Sequence, residues 1–159
     1  MPTTLTEGQA APLFELEDDR GARVKLADLR GNWVVLYWYP KDDTPGCTTE
    51  ACEIRDNWQL LSGEAALFGV SPDSVRSHVK FRDKHGLPFP LLADDGHKVS
   101  ELYGVWGPKT FMGREYMGVD RTTFIVDPEG KLAKVFPKVS PAGHALEILA
   151  ALKELKAAR

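Results

Sequence analysis

The sequence predicts an α/β fold, a central mixed β-sheet flanked by helices with an N-terminal β-hairpin extension. Three observations carry this. Trp33 to Tyr39 is β-branched or aromatic almost throughout, and so reads as a strand buried on both faces. Ala65 to Val70 is a second short apolar run, with a helically spaced stretch between the two. Strand, helix and strand in that order imply a right-handed parallel crossover. Phe14 and Leu16, then Val24 and Leu26, alternate with polar residues around Asp18-Asp19-Arg20-Gly21, which is a hairpin pattern.

The elements follow in order. Residues 1–10 read as a loose lead-in, and Ala27 to Gly31 as a turn into the central strand. Pro40 ends that strand, since proline donates nothing to a ladder. Thr44-Pro45 then starts a helix, with Thr44 as N-cap and Pro45 at the first position. Its apolar residues Ala51, Ile54, Trp58 and Leu61 share a face with Cys47, and Gly63 caps its end. Ser71-Pro72-Asp73 starts a second helix with Ser71 as N-cap, with Val75, Val79 and Phe81 inward and Gly86 at its end. Pro88 and Pro90 break the chain before a short strand, Leu91-Leu92-Ala93, and His97 to Tyr103 is a short helix. Gly104 to Gly118 reads as a glycine-rich loop carrying Trp106, Phe111, Met112, Tyr116 and Met117. Such a loop either covers a substrate mouth, forms a partner surface, or packs its aromatics on the core. In Arg121 to Val126, Arg121, Thr123 and Ile125 point one way and Thr122, Phe124 and Val126 the other. Asp127 to Gly130 turns the chain, and Lys131 to Phe136 returns antiparallel. Ser140-Pro141 opens a last helix with a stripe of Leu146, Ile148, Leu149, Leu152 and Leu155.

With 159 residues, the chain fits one domain, 1–159, with room for a proper core. A net charge of −3 argues against nucleic acid held by bulk electrostatics. No run approaches membrane-spanning length, and the N-terminus lacks a basic-then-apolar signal pattern. The expected compartment is therefore the cytoplasm. Two cysteines are too few for a secreted disulfide scaffold. No metal site is expected: the cysteines lack a paired second cluster, and His78, His85, His97 and His144 are scattered, each read as a surface or capping residue.

Both cysteines lie in Pro40-Lys-Asp-Asp-Thr-Pro-Gly-Cys-Thr-Thr-Glu-Ala-Cys52. Cys47 falls at the third helical position, whose N–H an N-cap threonine hydroxyl usually bonds. Unpaired N–H groups and the positive end of the helix dipole there favour a thiolate, the nucleophilic form. Gly46 lets the backbone approach a ligand closely. Cys52, five residues on, lies about 140° around the helix and about 7.5 Å along it. The implied Cα separation of roughly 8.5 Å exceeds the ~7 Å reach of a disulfide. Either the two never bond, or the helix unwinds locally during a redox cycle.

The spacing Pro40…Thr44…Cys47 resembles the Pro-x-x-x-Thr-x-x-Cys signature of the peroxiredoxins. The longer string, with a second cysteine five residues after the first, resembles their bacterioferritin-comigratory (PrxQ) branch, and the resemblance spans essentially the whole chain. It implies a thioredoxin-like fold and reduction of hydrogen peroxide and alkyl hydroperoxides without metal or organic cofactor. By resemblance, Cys47 is oxidised to sulfenic acid and Cys52 condenses with it to an intramolecular disulfide. Thioredoxin or a similar dithiol then restores both thiols, and the protein is a monomer. Arg121, in Arg-Thr-Thr-Phe-Ile-Val-Asp, matches the family's strand arginine and would stabilise charge on the departing oxygen. Thr44 would cap Cys47 N–H and donate to the peroxide. Pro40 would shield the thiolate, and Gly46 and Cys47 would supply backbone donors. Glu50 either holds an arginine in place or is a solvated residue favouring the helix dipole. Two competing readings remain: a binding module using the loop around Trp106 and Phe111, and a thiol–disulfide oxidoreductase acting on proteins. The latter lacks the usual Cys-x-x-Cys.

Overall fold

The two-sided apolar run sets the architecture, because it must be covered on both faces. In the computed structural model, which describes residues 3–159, the elements run as follows. First come β1 (Glu15–Asp18), β2 (Arg23–Lys25), a 3-10 turn (Leu26–Leu29), β3 (Val34–Trp38), α1 (Pro45–Asp56) and α2 (Trp58–Leu61). Then come β4 (Ala66–Ser71), α3 (Val75–His85), β5 (Leu91–Ala93), α4 (Lys98–Leu102), β6 (Trp106–Phe111) and β7 (Arg114–Val119). The chain ends with β8 (Thr122–Val126), β9 (Leu132–Phe136) and α5 (His144–Ala157). Residues 1 and 2 of the expected lead-in lie outside the described residues. The rest of it is tied down, with Gly8 N–H donating to Leu132 O and Ala10 bridged to Lys131.

One seven-stranded sheet runs in the order β2-β1-β5-β4-β3-β8-β9. β3, β4 and β5 are parallel, as the strand–helix–strand reading requires, and β8 and β9 close one side antiparallel. The N-terminal hairpin is not an appendage: β1 pairs with β5 and extends the same sheet. All five residues of β3 are buried. Val35, Tyr37, Tyr39 and Ile125 pack with Cys47, Ala51 and Ile54 of α1 and with Ile148 and Leu152 of α5. Val34, Leu36, Trp38, Phe124 and Val126 pack on the other face with Phe14, Leu92, Tyr103 and Val105. The alternation read for residues 121–126 thus holds, with Ile125 in one cluster and its two neighbours in the other.

Several expectations give way to competing physics. The first helix does not run to Leu61. It breaks at Asn57 (φ −106°, ψ 11°), whose side-chain amide donates to Glu53 O at 2.8 Å. Trp58 and Leu61 continue the apolar face from α2. Gly63 is not a left-handed cap; Ser62 ends α2. Ser71 closes β4, and its hydroxyl bonds the Asp73 carboxylate at 2.6 Å instead of capping. Ser74 is the cap of α3, accepting from Ser77 N–H at 3.1 Å. Phe81 is buried as expected and His78 joins it, while Val75 and Val79 are half-buried. Similarly α5 starts at His144 behind Gly143 (φ 84°), not at Ser140-Pro141. His144 and Ala145 are therefore buried, and Leu146 turns out to solvent at 59% exposure. Residues 104–118 are no loose loop. They hold the antiparallel hairpin β6–β7, turned at Met112 and Gly113, both at positive φ. Trp106 stacks on His97 at 4.0 Å, and Phe111, Met112, Tyr116 and Met117 are exposed instead of packed on the core.

Gly69 shows how closely β3 and β4 sit. A Cβ there would meet Leu91 Cδ2 and the Tyr37 ring and hydroxyl at 2.9 Å. Gly69→Ala should destabilise by about 1–3 kcal/mol in urea unfolding, the usual cost of overpacking. Gly107→Ala, with nothing within 4 Å of the new carbon, serves as the control. Equal stabilities would contradict this packing.

Candidate active site

Strand pairing explains how residues far apart in sequence converge. β3 and β8 are antiparallel neighbours in the register Trp38↔Thr122 and Tyr37↔Thr123. The end of β3 therefore lies beside the start of β8. The chain leaving β3 turns through Pro40–Asp43 into α1, while Arg121 sits one residue before β8 on the face shared by Thr123 and Ile125. Arg121 O accepts Val139 N–H at 2.9 Å, which holds its backbone in place.

The Arg121 fork joins two groups on α1. Nη2 donates to Cys47 Sγ at 3.3 Å, and Nη1 donates to Glu50 Oε1 at 2.7 Å. Cys47 at the third position and Glu50 one turn later share a helix face, so one planar guanidinium reaches both. Cys47 and Glu50 are each 1% exposed. The solvated reading of Glu50 is excluded.

Glu50 Oε2 is buried and has no hydrogen-bond partner among the described residues, and the same holds for the Tyr37 hydroxyl. Burial pushes Glu50 up to about 7, against the attraction of Arg121, which lowers it. Arg121 responds oppositely. Burial works against its charge, but the charges at Cys47 and Glu50 outweigh that and hold its pKa above the ordinary value.

Gly46 earns its place by a close approach. A Cβ there would sit 3.2 Å from Arg121 Nη2 and 3.3 Å from Pro141 Cγ. Thr44 is the N-cap residue in an extended conformation, but its hydroxyl makes no cap bond. It donates instead to Lys41 O at 2.9 Å, which corrects the expected bond to Cys47 N–H. The first-turn N–H groups have no carbonyl one turn before them and stay free of that threonine. The Thr44 hydroxyl hydrogen is engaged with Lys41 O in this structure, which leaves its oxygen able to accept a further hydrogen bond. Pro40 is half-buried at the end of β3. Cys52 is half-buried on the same unbroken helix as Cys47, and both are free thiols.

Sequence reasoning missed a second buried polar group beside this turn. Asp42, Asp73 and His78 place ligand-type atoms within 4.8 Å of one another. Each of these groups is already engaged in hydrogen bonds: Asp42 with Tyr39, Ser77 and His78, Asp73 with Ser71 and the Asp42 N–H, and His78 with the Leu92 carbonyl. His78 is 0% exposed, contrary to its reading as a surface residue. Its place in register with Val75 and Phe81, at intervals of three, is the signal that pointed inward. His144 is buried as well, between Thr123 Oγ1 at 2.8 Å and Glu147 Oε1 at 2.9 Å. Burial lowers its pKa, and Glu147 partly offsets that.

The Glu50 carboxyl generates a pH prediction. Its folded pKa of about 7 lies above its ordinary 4.5. Between those values the unfolded chain releases this proton first, so rising pH removes stability, up to about 3 kcal/mol. Glu50→Gln cannot ionise and escapes that loss. Its melting temperature relative to wild type should climb by several degrees from about pH 5 to about pH 8. A difference that stays flat with pH would contradict this assignment.

Residues 7–135 match the AhpC/TSA family. Peroxiredoxin Bcp of Bacillus subtilis (strain 168) is 50% identical over 153 residues, covering 96% of this chain and 98% of that protein. Peroxiredoxin Bcp of Escherichia coli (strain K12) is 42% identical over 151 residues, covering 94% and 97%. Among solved structures, the bacterioferritin comigratory protein of Xanthomonas campestris, studied for alkyl peroxide reduction, superposes with a TM-score of 0.86 at 36% identity, covering 94% and 98%. BcpB of Mycobacterium tuberculosis does so at 0.82 and 35% identity, covering 94% and 97%. With a thioredoxin-like peroxiredoxin fold and relatives of this similarity along nearly its whole length, the chain belongs to the AhpC/TSA family, in the bacterioferritin-comigratory (PrxQ) branch of the peroxiredoxins.

Proposed function

We propose that this chain, acting as one domain over residues 1–159, reduces hydrogen peroxide and alkyl hydroperoxides at Cys47. The observation that carries the reading is the Arg121 fork, with one nitrogen at 3.3 Å from Cys47 Sγ and the other fixed by buried Glu50. A cation so placed meets negative charge both on the attacking sulfur and on the oxygen that leaves it. The reduction of alkyl peroxides studied in the Xanthomonas campestris relative supports the substrate class.

In the first step the Cys47 sulfur attacks the nearer peroxide oxygen, the O–O bond breaks, and the departing oxygen takes a proton and leaves as water or alcohol. Cys47 becomes a sulfenic acid. Thr44, whose own hydrogen points at Lys41 O, accepts from the O–H of the incoming hydroperoxide. First-turn N–H groups of Gly46 and Cys47 donate to it, and Pro40 screens the sulfur from water. In the second step the first turns of α1 unwind, because the helix holds the cysteines roughly 8.5 Å apart. The Cys52 thiol then displaces hydroxide from the sulfenic sulfur, giving a disulfide and water. In the third step two electrons and two protons from thioredoxin or a similar dithiol restore both thiols. No described helix is long and apolar enough to cross a membrane. The reading includes a monomer working in the cytoplasm, on the strength of the family likeness.

Three variants test the cycle in a thioredoxin-coupled peroxide assay. Cys47→Ser should abolish turnover. Arg121→Met should slow oxidation of Cys47 by about 100-fold or more, the scale of losing one preorganised donor to developing charge. Cys52→Ser should leave that first oxidation intact and slow recycling. Full coupled turnover in Cys52→Ser would remove Cys52 from the resolving role, and activity surviving in Cys47→Ser would overturn the peroxidase reading.

A further inference from the structure

The turn between β3 and α1 is held by a buried polar cluster that the peroxidase cycle above does not use. Asp42 accepts from Tyr39 OH at 2.6 Å on one carboxylate oxygen. On the other it accepts from Ser77 Oγ at 2.8 Å and is hydrogen-bonded to His78 Nδ1 at 2.7 Å. The second ring nitrogen of His78 lies 2.9 Å from Leu92 O. A carbonyl oxygen only accepts, so Nε2 carries a proton. Asp42 and His78 therefore form a buried hydrogen-bonded pair in which both carboxyl oxygens and both ring nitrogens are engaged.

This pair meets the active site through one peptide plane. The Asp42 N–H donates to Asp73 Oδ2 at 2.8 Å, and Asp73 is itself held by Ser71 Oγ at 2.6 Å. The carbonyl of the same peptide unit, Lys41 O, accepts the Thr44 hydroxyl at 2.9 Å. In a trans peptide the N–H and C=O point in opposite directions, so one rigid plate has Asp73 bonded to one edge and Thr44 to the other. The next residue, Asp43, is held at φ 58° with its carboxylate on Lys84 Nζ at 2.8 Å. α3 thus grips the turn through Ser77 and His78 at one end and Lys84 at the other.

We propose that the Asp42–His78 pair, together with Asp73, is a positioning device for Thr44. It fixes the Lys41–Asp42 peptide so that the Thr44 hydroxyl hydrogen is spent on Lys41 O and its lone pairs are presented to the hydroperoxide. None of the three residues touches the reacting atoms; they act through Thr44. The proposal rests on the peroxidase reading given above and names what orients one part of that site.

The test uses the full chain in a Cys52→Ser background, so that Cys47 is the one thiol. Two second-order rates are measured: oxidation of Cys47 by hydrogen peroxide, which uses Thr44, and alkylation of Cys47 by iodoacetamide, which does not. Asp42→Asn and His78→Leu should slow the peroxide reaction by about tenfold or more while changing alkylation less than about twofold, since small misplacements cost selectively where orientation matters. His78→Asn, which keeps a hydrogen-bonding amide where Nδ1 stood, should recover most of the peroxide rate. In a Thr44→Val background, Asp42→Asn should add little, because the two residues act in one chain. Equal losses in both reactions, or an unchanged peroxide rate, would overturn the proposal. A parent protein whose Cys47 ignores peroxide would instead overturn the peroxidase reading itself. If Asp42→Asn fails to melt cooperatively, Ser77→Ala replaces it, removing one donor and no charge; a smaller loss confined to the peroxide reaction supports the proposal, and parallel losses overturn it.

Discussion

The contact of Arg121 with Cys47 and Glu50 is the interaction around which the site is built. It crosses 74 residues of sequence and works only because several constraints agree. The β3–β8 pairing brings the start of β8 beside the end of β3. The helical spacing of three puts Cys47 and Glu50 within reach of one guanidinium. Gly46 leaves room for the guanidinium, since a Cβ there would sit 3.2 Å from Arg121 Nη2. Glu50 contributes a buried acceptor at the cost of its own ionisation, since its second oxygen has no donor. The arginine remains charged throughout, as its chemistry requires.

The two halves of α1 are held differently, and the difference matters for the proposed cycle. Beyond Cys52 the helix is anchored to its neighbours. The Glu53 carboxylate accepts Gly143 N–H at 3.1 and 3.2 Å, Arg55 Nη1 donates to His85 O at 2.6 Å, and Asn57 ties off the end. Before Cys52 the bonds to the rest of the chain are those of Arg121 to Cys47 and Glu50. Upstream, the turn at 41–43 is pinned by Asp42, Asp73 and Asp43. In the proposed cycle the first turns of α1 are the segment that rearranges, giving up the core packing of Cys47 and Ala51, and oxidation of the sulfur alters the Arg121 contact that helps hold them. Local opening of this kind draws on the less tightly held parts of a fold.

Much of this was legible in the sequence where one strong local signal was unopposed. The Trp33–Tyr39 run could be satisfied only by burial on both faces, and the alternation in residues 121–126 put Arg121, Thr123 and Ile125 on one face, while the family motif, not the alternation, pointed Arg121 to the cysteine. Thr44-Pro45 marked the start of α1 correctly, but not the direction of the threonine hydroxyl, because a nearby carbonyl, Lys41 O, competes for it. The same competition misplaced the start of α3, where Ser71 is taken by Asp73. For α5 the left-handed Gly143 outweighed Ser140-Pro141, and the face rotated so that Leu146 points outward. Met112-Gly113 is a hairpin turn in a stretch whose glycines had suggested a loop. The Asp42–His78 pair was invisible because its partners come from four separate segments, and only the tertiary fold assembles them.

The most direct measurement is the intact mass of the reduced protein after one equivalent of hydrogen peroxide, read within seconds and again after incubation. The account predicts a transient gain of one oxygen on Cys47. A net loss of two hydrogens should follow, with both thiols blocked, as Cys47 and Cys52 join. An oxygen that persists while Cys52 still titrates would contradict the intramolecular disulfide. No change in mass would contradict the peroxidase assignment altogether.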